Sequence, residues 1–271
     1  MSWRDKLWMW GYTQEEIGTT VPFTGISKSY CSLESAARYF GMNNTVFMNS
    51  MHSLECLEEN LAFVKDSKQV ICGLPHGDAN ALAGAETISR MSLKFPNIKG
   101  IVLDDFLQLS GHPTTPELVR AIREKLRSAN PALEIYVVMY SDINHLDITP
   151  YLELIDGIML WRWVSTEHFW RGEFDSLLHR FKANYGQKLL HGVYLQNYGE
   201  YSSSSHPIDF GLWKLQWMKI LTSLRGKDAF LDGCVLLQNG WVGNPEFRDH
   251  VVWLKDTLDW FCETTTDESA R

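Results

Sequence analysis

Two adjacent carboxylic acids, Asp104 and Asp105, directly follow an apolar segment, GIVL, that starts at Gly100. Neighbouring carboxyl groups suit acid–base chemistry, because mutual repulsion and partial burial raise the pKa of one above the other. One group can then donate a proton near neutral pH while the other is an anion. Cleavage of a glycosidic bond needs such a proton donor and a group that stabilises an oxocarbenium-like centre. We therefore predict Asp104 and Asp105 as catalytic residues.

The apolar segment before the acids recurs later in the chain. GIML starts at Gly157, GVYL at Gly192 and GCVL at Gly233, and each is followed by polar or large aromatic residues. A short apolar run without alternation is typical of a parallel strand that is covered on both faces. The residues after these runs are therefore expected at the carboxyl ends of parallel strands, where α/β folds build their sites.

Further strands and helices can be predicted around these runs. The strands are expected at residues 7–10, 45–48, 69–73, 100–103, 134–139, 157–160, 192–195 and 233–236. The helices between them are expected at about 32–41, 54–65, 79–94, 117–128, 148–154, 166–185, 208–224 and 245–262, with cap signals at Ser32, Thr115 and Asn244. Eight alternating pairs predict an α/β fold, a single (β/α)8 TIM barrel that forms one domain over residues 1–271.

The residues that end these strands form a candidate binding rim. It combines carboxylates, amides and aromatic side chains, which are the groups that bind sugars. The predicted substrate-binding residues are Trp10, Tyr12, Tyr140, Asp142, Trp161, Arg162, Trp163, Gln196, Asn197, Gln238, Asn239 and Trp241. Some alternatives stay open: Arg162 could hold a carboxylated ligand or fix Asp104, and the amides could bind sugar hydroxyls or satisfy loop backbone.

Other reaction classes lack their characteristic residues. No lysine directly follows a predicted strand, which argues against a Schiff-base aldolase, and no HxH, HExxH or GxSxG motif is present. Neither a metal nor a cofactor is expected. The net charge is -8 and no run of Lys or Arg is present, so the sequence predicts no basic surface for binding nucleic acid.

The chain carries no sign of membrane insertion or export. The sequence contains no apolar segment long enough to predict a membrane span, and the N-terminus has no pattern that predicts a signal peptide. These observations predict a cytoplasmic protein, although a secreted protein that has been processed also fits. The sequence does not indicate the oligomeric state.

The LDDF motif resembles the adjacent aspartates of substrate-assisted N-acetylhexosaminidases of the O-GlcNAc-hydrolase type. This resemblance implies that Asp104 orients an acetamido group and that Asp105 is the general acid. A broader resemblance runs through VLDDF, IDGIMLWRW, LLHGVYLQNYG and LDGCVLL, which are similar to segments of bacterial barrel proteins described as glycoside-hydrolase-like. It implies the barrel fold and leaves the reaction unspecified.

The sequence departs from the commonest retaining glycosidases, which carry Glu after strands four and seven. Here strand four ends at Asp104 and strand seven leads to Gln196 and Asn197. The substrate itself or Asp142 would have to supply the second catalytic group.

The favoured prediction is a glycoside hydrolase that binds a carbohydrate ligand at the carboxyl-terminal rim. Asp105 would donate the proton, and Asp104 would be the stabilising or orienting anion. One alternative is a non-catalytic carbohydrate-binding or scaffold barrel, which would lack a second catalytic group. The other is a phosphosugar-binding barrel enzyme, because Gly240, Gly243 and the helix after Asn244 lie where barrels often bind phosphate.

Overall fold

The computed structural model shows a closed barrel of eight parallel strands that are neighbours in sequence order. It describes residues 2–12, 31–49, 54–107, 115–141, 147–197, 207–225 and 229–264. The strands are β1 Leu7–Tyr12, β2 Asn44–Met48, β3 Gln69–Gly73, β4 Ile98–Leu103, β5 Glu134–Tyr140, β6 Gly157–Trp161, β7 Lys188–Tyr194 and β8 Gly233–Leu237. The predicted (β/α)8 TIM barrel is confirmed.

Eight α-helices lie between and after the strands within the described part of the chain. They are α1 Leu33–Phe40, α2 Leu57–Leu61, α3 Asp78–Lys94, α4 Pro116–Leu126, α5 Phe174–Asn184, α6 Phe210–Ser223, α7 Asn239–Val242 and α8 Arg248–Thr264. Ser32 and Thr115 cap α1 and α4 through their side chains, as predicted. That residues 1–271 form one domain stays a prediction.

The connection between β5 and β6 differs from the expectation. The helix predicted at 148–154 is a single 3-10 turn, Thr149–Tyr151, which is followed by turns up to β6. The last predicted helix, 245–262, begins as a 3-10 turn, Pro245–Phe247, and continues as α8, while the short helix α7 before it was not predicted.

Side chains of each strand alternate between two hydrophobic layers. Residues such as Val102, Val138 and Met159 fill the inside of the barrel, while their neighbours pack outward against the helices. The glycines that start the repeated apolar segments make room inside this packing: a Cβ on Gly157 would lie 2.3 Å from the ring of Tyr136. The barrel interior is thus a packed core, and a site can form only at its ends.

None of the described helices combines the length and the apolar character that crossing a membrane requires.

Candidate active site at the carboxyl end of the barrel

The two predicted catalytic acids lie in a tight turn directly after β4. Asp105 has a φ of +47°, in the left-handed region, which Asp tolerates better than most residues. The regular strand alternation therefore ends at Asp104. The backbone N–H of Asp105 donates to Oδ1 of Asp104 at 3.0 Å. The turn thus keeps the two carboxyl groups close enough to influence each other.

Asp104 has a strongly perturbed acidity. Burial raises the pKa of this carboxyl from 3.8 to about 7, and repulsion by Asp105 adds to the shift. The backbone N–H of Asp105 acts in the opposite direction, because it favours the ionised form. Protonated and ionised Asp104 therefore coexist near neutral pH, which is the condition a general acid needs.

Asp105 accepts a hydrogen bond from a tyrosine on the next strand. The hydroxyl of Tyr140, the last residue of β5, donates to Oδ1 of Asp105 at 2.8 Å. Burial and the negative charges of Asp105 and Asp104 raise the pKa of Tyr140 far above its ordinary value. The hydroxyl of Tyr194, on β7, in turn hydrogen-bonds to Tyr140. Tyr140 is therefore a neutral donor that links the acid pair to β7, two strands further round the barrel.

Three aromatic rings meet beside this hydrogen-bonded chain. The ring of Trp163 lies 6.0 Å from the ring of Tyr140 and 6.0 Å from that of Tyr194, and it is perpendicular to both within a few degrees. Trp163 is 40% exposed. We call Tyr140, Trp163 and Tyr194 the aromatic corner. It gives the acid pair an accessible aromatic surface on one side.

A second tryptophan extends the aromatic corner into the barrel. Trp161 packs 4.9 Å from Tyr194 and 5.7 Å from Trp10, ring centre to ring centre. Its indole covers Gly192, where a Cβ would lie 2.0 Å from the ring. Trp161 and Trp10 are buried, so they support the corner from below.

A small cleft adjoins the acid pair on its other side. Asp104 and Asp105 line a cavity of about 70 Å³ together with residues 74–78, which connect β3 to α3, and Leu118 and Ile122 of α4. The acids therefore border a cleft formed by the β3 connection and the neighbouring helices. The sequence predicted a pocket walled by indoles and amides; the aromatic side chains instead approach through Tyr140.

Arg162 does not face the acid pair. Its guanidinium donates to the carbonyl of Val164 and, at 3.3 Å, to the hydroxyl of Ser141, and it stacks on the ring of Phe169 at 4.5 Å. These contacts hold the side chain at the β6 connection. The prediction that it fixes Asp104 has no support in these contacts.

The side-chain amide of Asn239 forms hydrogen bonds with backbone atoms of two other segments. Its side-chain oxygen accepts from the N–H of Tyr12 at 3.0 Å, and its nitrogen donates to the carbonyl of Cys31 at 2.9 Å. Gly11 provides the space for this amide, since a Cβ there would lie 2.0 Å from the Asn239 oxygen. Asn239 therefore ties the end of β1 to α7. Of the two roles considered for the rim amides, this one is hydrogen bonding to loop backbone.

The remaining predicted binding residues are dispersed. Gln196, Asn197 and Gln238 are buried. Trp241 is fully buried, and its ring stacks on Phe247 at 6.0 Å in the layer between strands and helices. Asp142 lies outside the described residues. Of the residues predicted for substrate binding that the structure describes, Tyr140 hydrogen-bonds to the acid pair and Trp163 packs against Tyr140 with an exposed ring.

Tyr194 was missed by the sequence-based prediction. The signal for it was available, because it lies two residues after Gly192 within GVYL and alternation puts both on the same strand face. Within the described ranges no group of three or more His, Cys, Asp and Glu residues could hold a metal ion.

No protein family profile matches the chain, and no curated protein matches it in sequence. Solved structures do match. The β-D-glucuronidase of Dictyoglomus thermophilum superposes with a TM-score of 0.61 at 12% identity over 96% of this chain and 50% of that protein. A β-glucuronidase of Ruminococcus gnavus, solved with D-glucaro-δ-lactam, gives a TM-score of 0.59 at 10% identity over 94% of this chain and 49% of that protein.

The chain thus spans about half the length of these glucuronidases. A third match is of similar size to this chain: the xylanase–α-amylase inhibitor protein XAIP-I, solved with trehalose, has a TM-score of 0.56 at 11% identity over 92% of this chain and 98% of that protein. The chain has a glycoside-hydrolase-like barrel fold. At these identities the matches show a shared fold alone.

Proposed function

We propose that this protein is a glycoside hydrolase whose active site is the acid pair Asp104 and Asp105. The observation that carries the proposal is the pairing of a carboxyl whose pKa is raised to about 7 with a second carboxyl that accepts a tyrosine hydrogen bond. The pair lies at the carboxyl end of a barrel strand, where enzymes of this fold carry out their chemistry. The fold shared with glucuronidases supports the same reaction class.

The two acids have different roles in this proposal. Protonated Asp104 donates its proton to the leaving oxygen as the glycosidic bond breaks, and the water molecule that then adds to the anomeric carbon returns a proton to Asp104. Asp105, whose oxygen accepts from Tyr140, is the anion that stabilises positive charge at the anomeric carbon. Tyr140 orients this carboxylate through a hydrogen bond of 2.8 Å. Trp163 offers its exposed ring to an apolar sugar face.

These roles are the reverse of those that the LDDF resemblance implies. The N-acetylhexosaminidase pattern would make Asp105 the general acid, whereas burial raises the pKa of Asp104 into the range that a proton donor needs. The similar structures in hand are glucuronidases and a trehalose-bound inhibitor, and they give the hexosaminidase resemblance no support. The order of the roles is therefore part of the proposal.

A non-catalytic carbohydrate-binding barrel is the second candidate. Beyond the acid pair, no carboxylate directly follows a strand among the described residues, so the chain offers no evident nucleophile there. XAIP-I, which matches at full length and was solved with trehalose, is named as an inhibitor. Ligand binding without turnover on any glycoside would favour this candidate. No contact among the described residues supports the phosphosugar alternative.

The proposal is tested by hydrolysis of a panel of aryl glycosides. Wild type, Asp104→Asn, Asp105→Asn and the control Asp256→Asn, an exposed acid on α8, are compared on every substrate that wild type cleaves. We expect Asp105→Asn to reduce kcat at least about 100-fold on all of these substrates, Asp104→Asn to do so on those with poor leaving groups, and the control to leave kcat unchanged. Undiminished turnover by both active-site variants would remove the acid pair from the mechanism.

A further inference from the structure

The aromatic corner and the acid pair together have the composition of a site for a positively charged group. We propose that the sugar bound here carries a protonated amine, and that sugars with a carboxylate are rejected. This inference rests on the proposed site and specifies its substrate class. It also separates this chain from the glucuronidases of the same fold, one of which was solved with D-glucuronic acid.

Trp163 packs edge to face with both Tyr140 and Tyr194, with centre-to-centre distances of 6.0 Å, and it is the exposed ring of the aromatic corner. The faces of aromatic rings carry partial negative charge, and corners of this kind hold ammonium groups. The 40% exposure of Trp163 leaves part of its ring accessible to a ligand.

Asp105 is joined to the corner by the Tyr140 hydrogen bond of 2.8 Å, and its negative charge is close enough to raise the pKa of the same tyrosine. A ligand carboxylate at this position would meet like charge, whereas an ammonium group would meet opposite charge. The net charge of -8 acts in the same direction at long range.

A carboxylated sugar would need a cationic side chain at the rim. Among the described residues that directly follow a strand, Arg162 is the single arginine or lysine. Its Nε and one terminal nitrogen are engaged by the Val164 carbonyl and the Ser141 hydroxyl, and its plane covers Phe169. A two-pronged contact with a ligand carboxylate would require breaking these bonds.

The test compares the binding of four methyl glycosides by calorimetry at low salt: glucosaminide, glucoside, N-acetylglucosaminide and glucuronide. The measurements are made at about pH 6, where a sugar amine is protonated. We expect the glucosaminide to bind about tenfold more tightly than the two neutral sugars, and the glucuronide to bind most weakly. High salt should reduce the advantage of the amine.

Two variants test whether Trp163 causes the preference for the glucosaminide. Trp163→Leu should weaken the neutral sugars through lost stacking and the glucosaminide more strongly, so that the advantage of the glucosaminide disappears. Trp260→Leu, which replaces a tryptophan that is 60% exposed on α8, should change none of the affinities. Tighter or equal binding of the glucuronide, no binding of any of the four sugars, or equal losses for all sugars in Trp163→Leu would each overturn the inference.

The outcome is separable from that of the proposed function. Preferential binding of the glucosaminide without hydrolysis of any glycoside would uphold the substrate class and reject the hydrolase. Cleavage and preferential binding of glucuronides would uphold the hydrolase and reject the amine preference.

Discussion

The hydroxyl of Tyr140 donates to Oδ1 of Asp105 at 2.8 Å, which joins the last residue of β5 to the acid pair after β4. We predict that Tyr140→Phe lowers kcat by about 10- to 100-fold, because a hydrogen bond to a charged group contributes roughly 1.5–3 kcal/mol. Steady-state kinetics on a cleaved aryl glycoside provide the measurement. Tyr39→Phe, at an exposed position of α1, is the control. Wild-type kcat in Tyr140→Phe would exclude an orienting role.

The acid pair should also reduce stability at neutral pH. The pKa of Asp104 is about 7 in the folded protein and 3.8 as its ordinary value, so folding favours the protonated form. This contribution is complete below pH 3.8 and is lost as pH rises from there towards 7. Asp104→Asn is neutral throughout and should be more stable than wild type by on the order of 2 kcal/mol at pH 8, with no gain at pH 4.

Urea unfolding at these two pH values measures the difference. Asp256→Asn replaces an exposed acid on α8 and should follow wild type at both. Parallel pH profiles for wild type and Asp104→Asn would show that the carboxyl titrates normally.

His191 should make the protein sensitive to acid. It lies on the outer face of β7, fully buried between the rings of Trp170 and Phe174 at 5.3 and 5.1 Å. Burial lowers the pKa of His191 from 6.5 to about 3. The unfolded chain therefore takes up this proton below pH 6.5 while the folded protein does not, so stability falls as pH decreases from 6.5 towards 3.

His191→Leu should remove this loss. We expect its stability at about pH 5.5 to fall about 1.4 kcal/mol less than that of wild type, relative to each protein at pH 8. His168→Leu, at a side chain that is 84% exposed, should keep the wild-type acid dependence. Denaturant unfolding at the two pH values measures this difference. If the unfolding free energy of His191→Leu depends on pH as strongly as that of wild type, the assignment is contradicted.

Gly192 should be required for the packing of Trp161. A Cβ there would lie 2.0 Å from the indole, so Gly192→Ala must displace the ring that supports Tyr194. We predict a loss of roughly 1–3 kcal/mol in stability and a changed near-ultraviolet circular dichroism spectrum. Gly186→Ala, where nothing lies within 4 Å, is the matched control. Equal stability of the two variants would show that the indole moves aside freely.

The barrel could be predicted from the sequence because its strands are uninterrupted apolar runs that end in polar residues. The repeat of a glycine-led segment at Gly100, Gly157, Gly192 and Gly233 marks four of the strands. Helix ends were equally accessible where Ser32 and Thr115 provide side-chain caps. The helical part of the β5–β6 connection was overestimated, because only Thr149–Tyr151 of the predicted helix forms, as one 3-10 turn.

The site was predicted less completely. Position after a strand identified Asp104 and Asp105, yet it cannot say which side chains turn inward. Arg162, Asn239 and Trp241 follow strands as well, but stacking on Phe169, backbone hydrogen bonds and stacking on Phe247 hold them elsewhere. Such choices depend on how each side chain packs, which its position after a strand does not encode.

The most direct test of the acid pair is the dependence of hydrolysis on the leaving group. A good leaving group such as dinitrophenolate departs without protonation, whereas a poor one such as methoxyphenolate needs the general acid. If Asp104 is the proton donor, Asp104→Asn should lose at least about 100-fold in kcat/KM with the poor leaving group and less than about tenfold with the good one. Equal losses on both substrates, or full activity on both, would contradict the account.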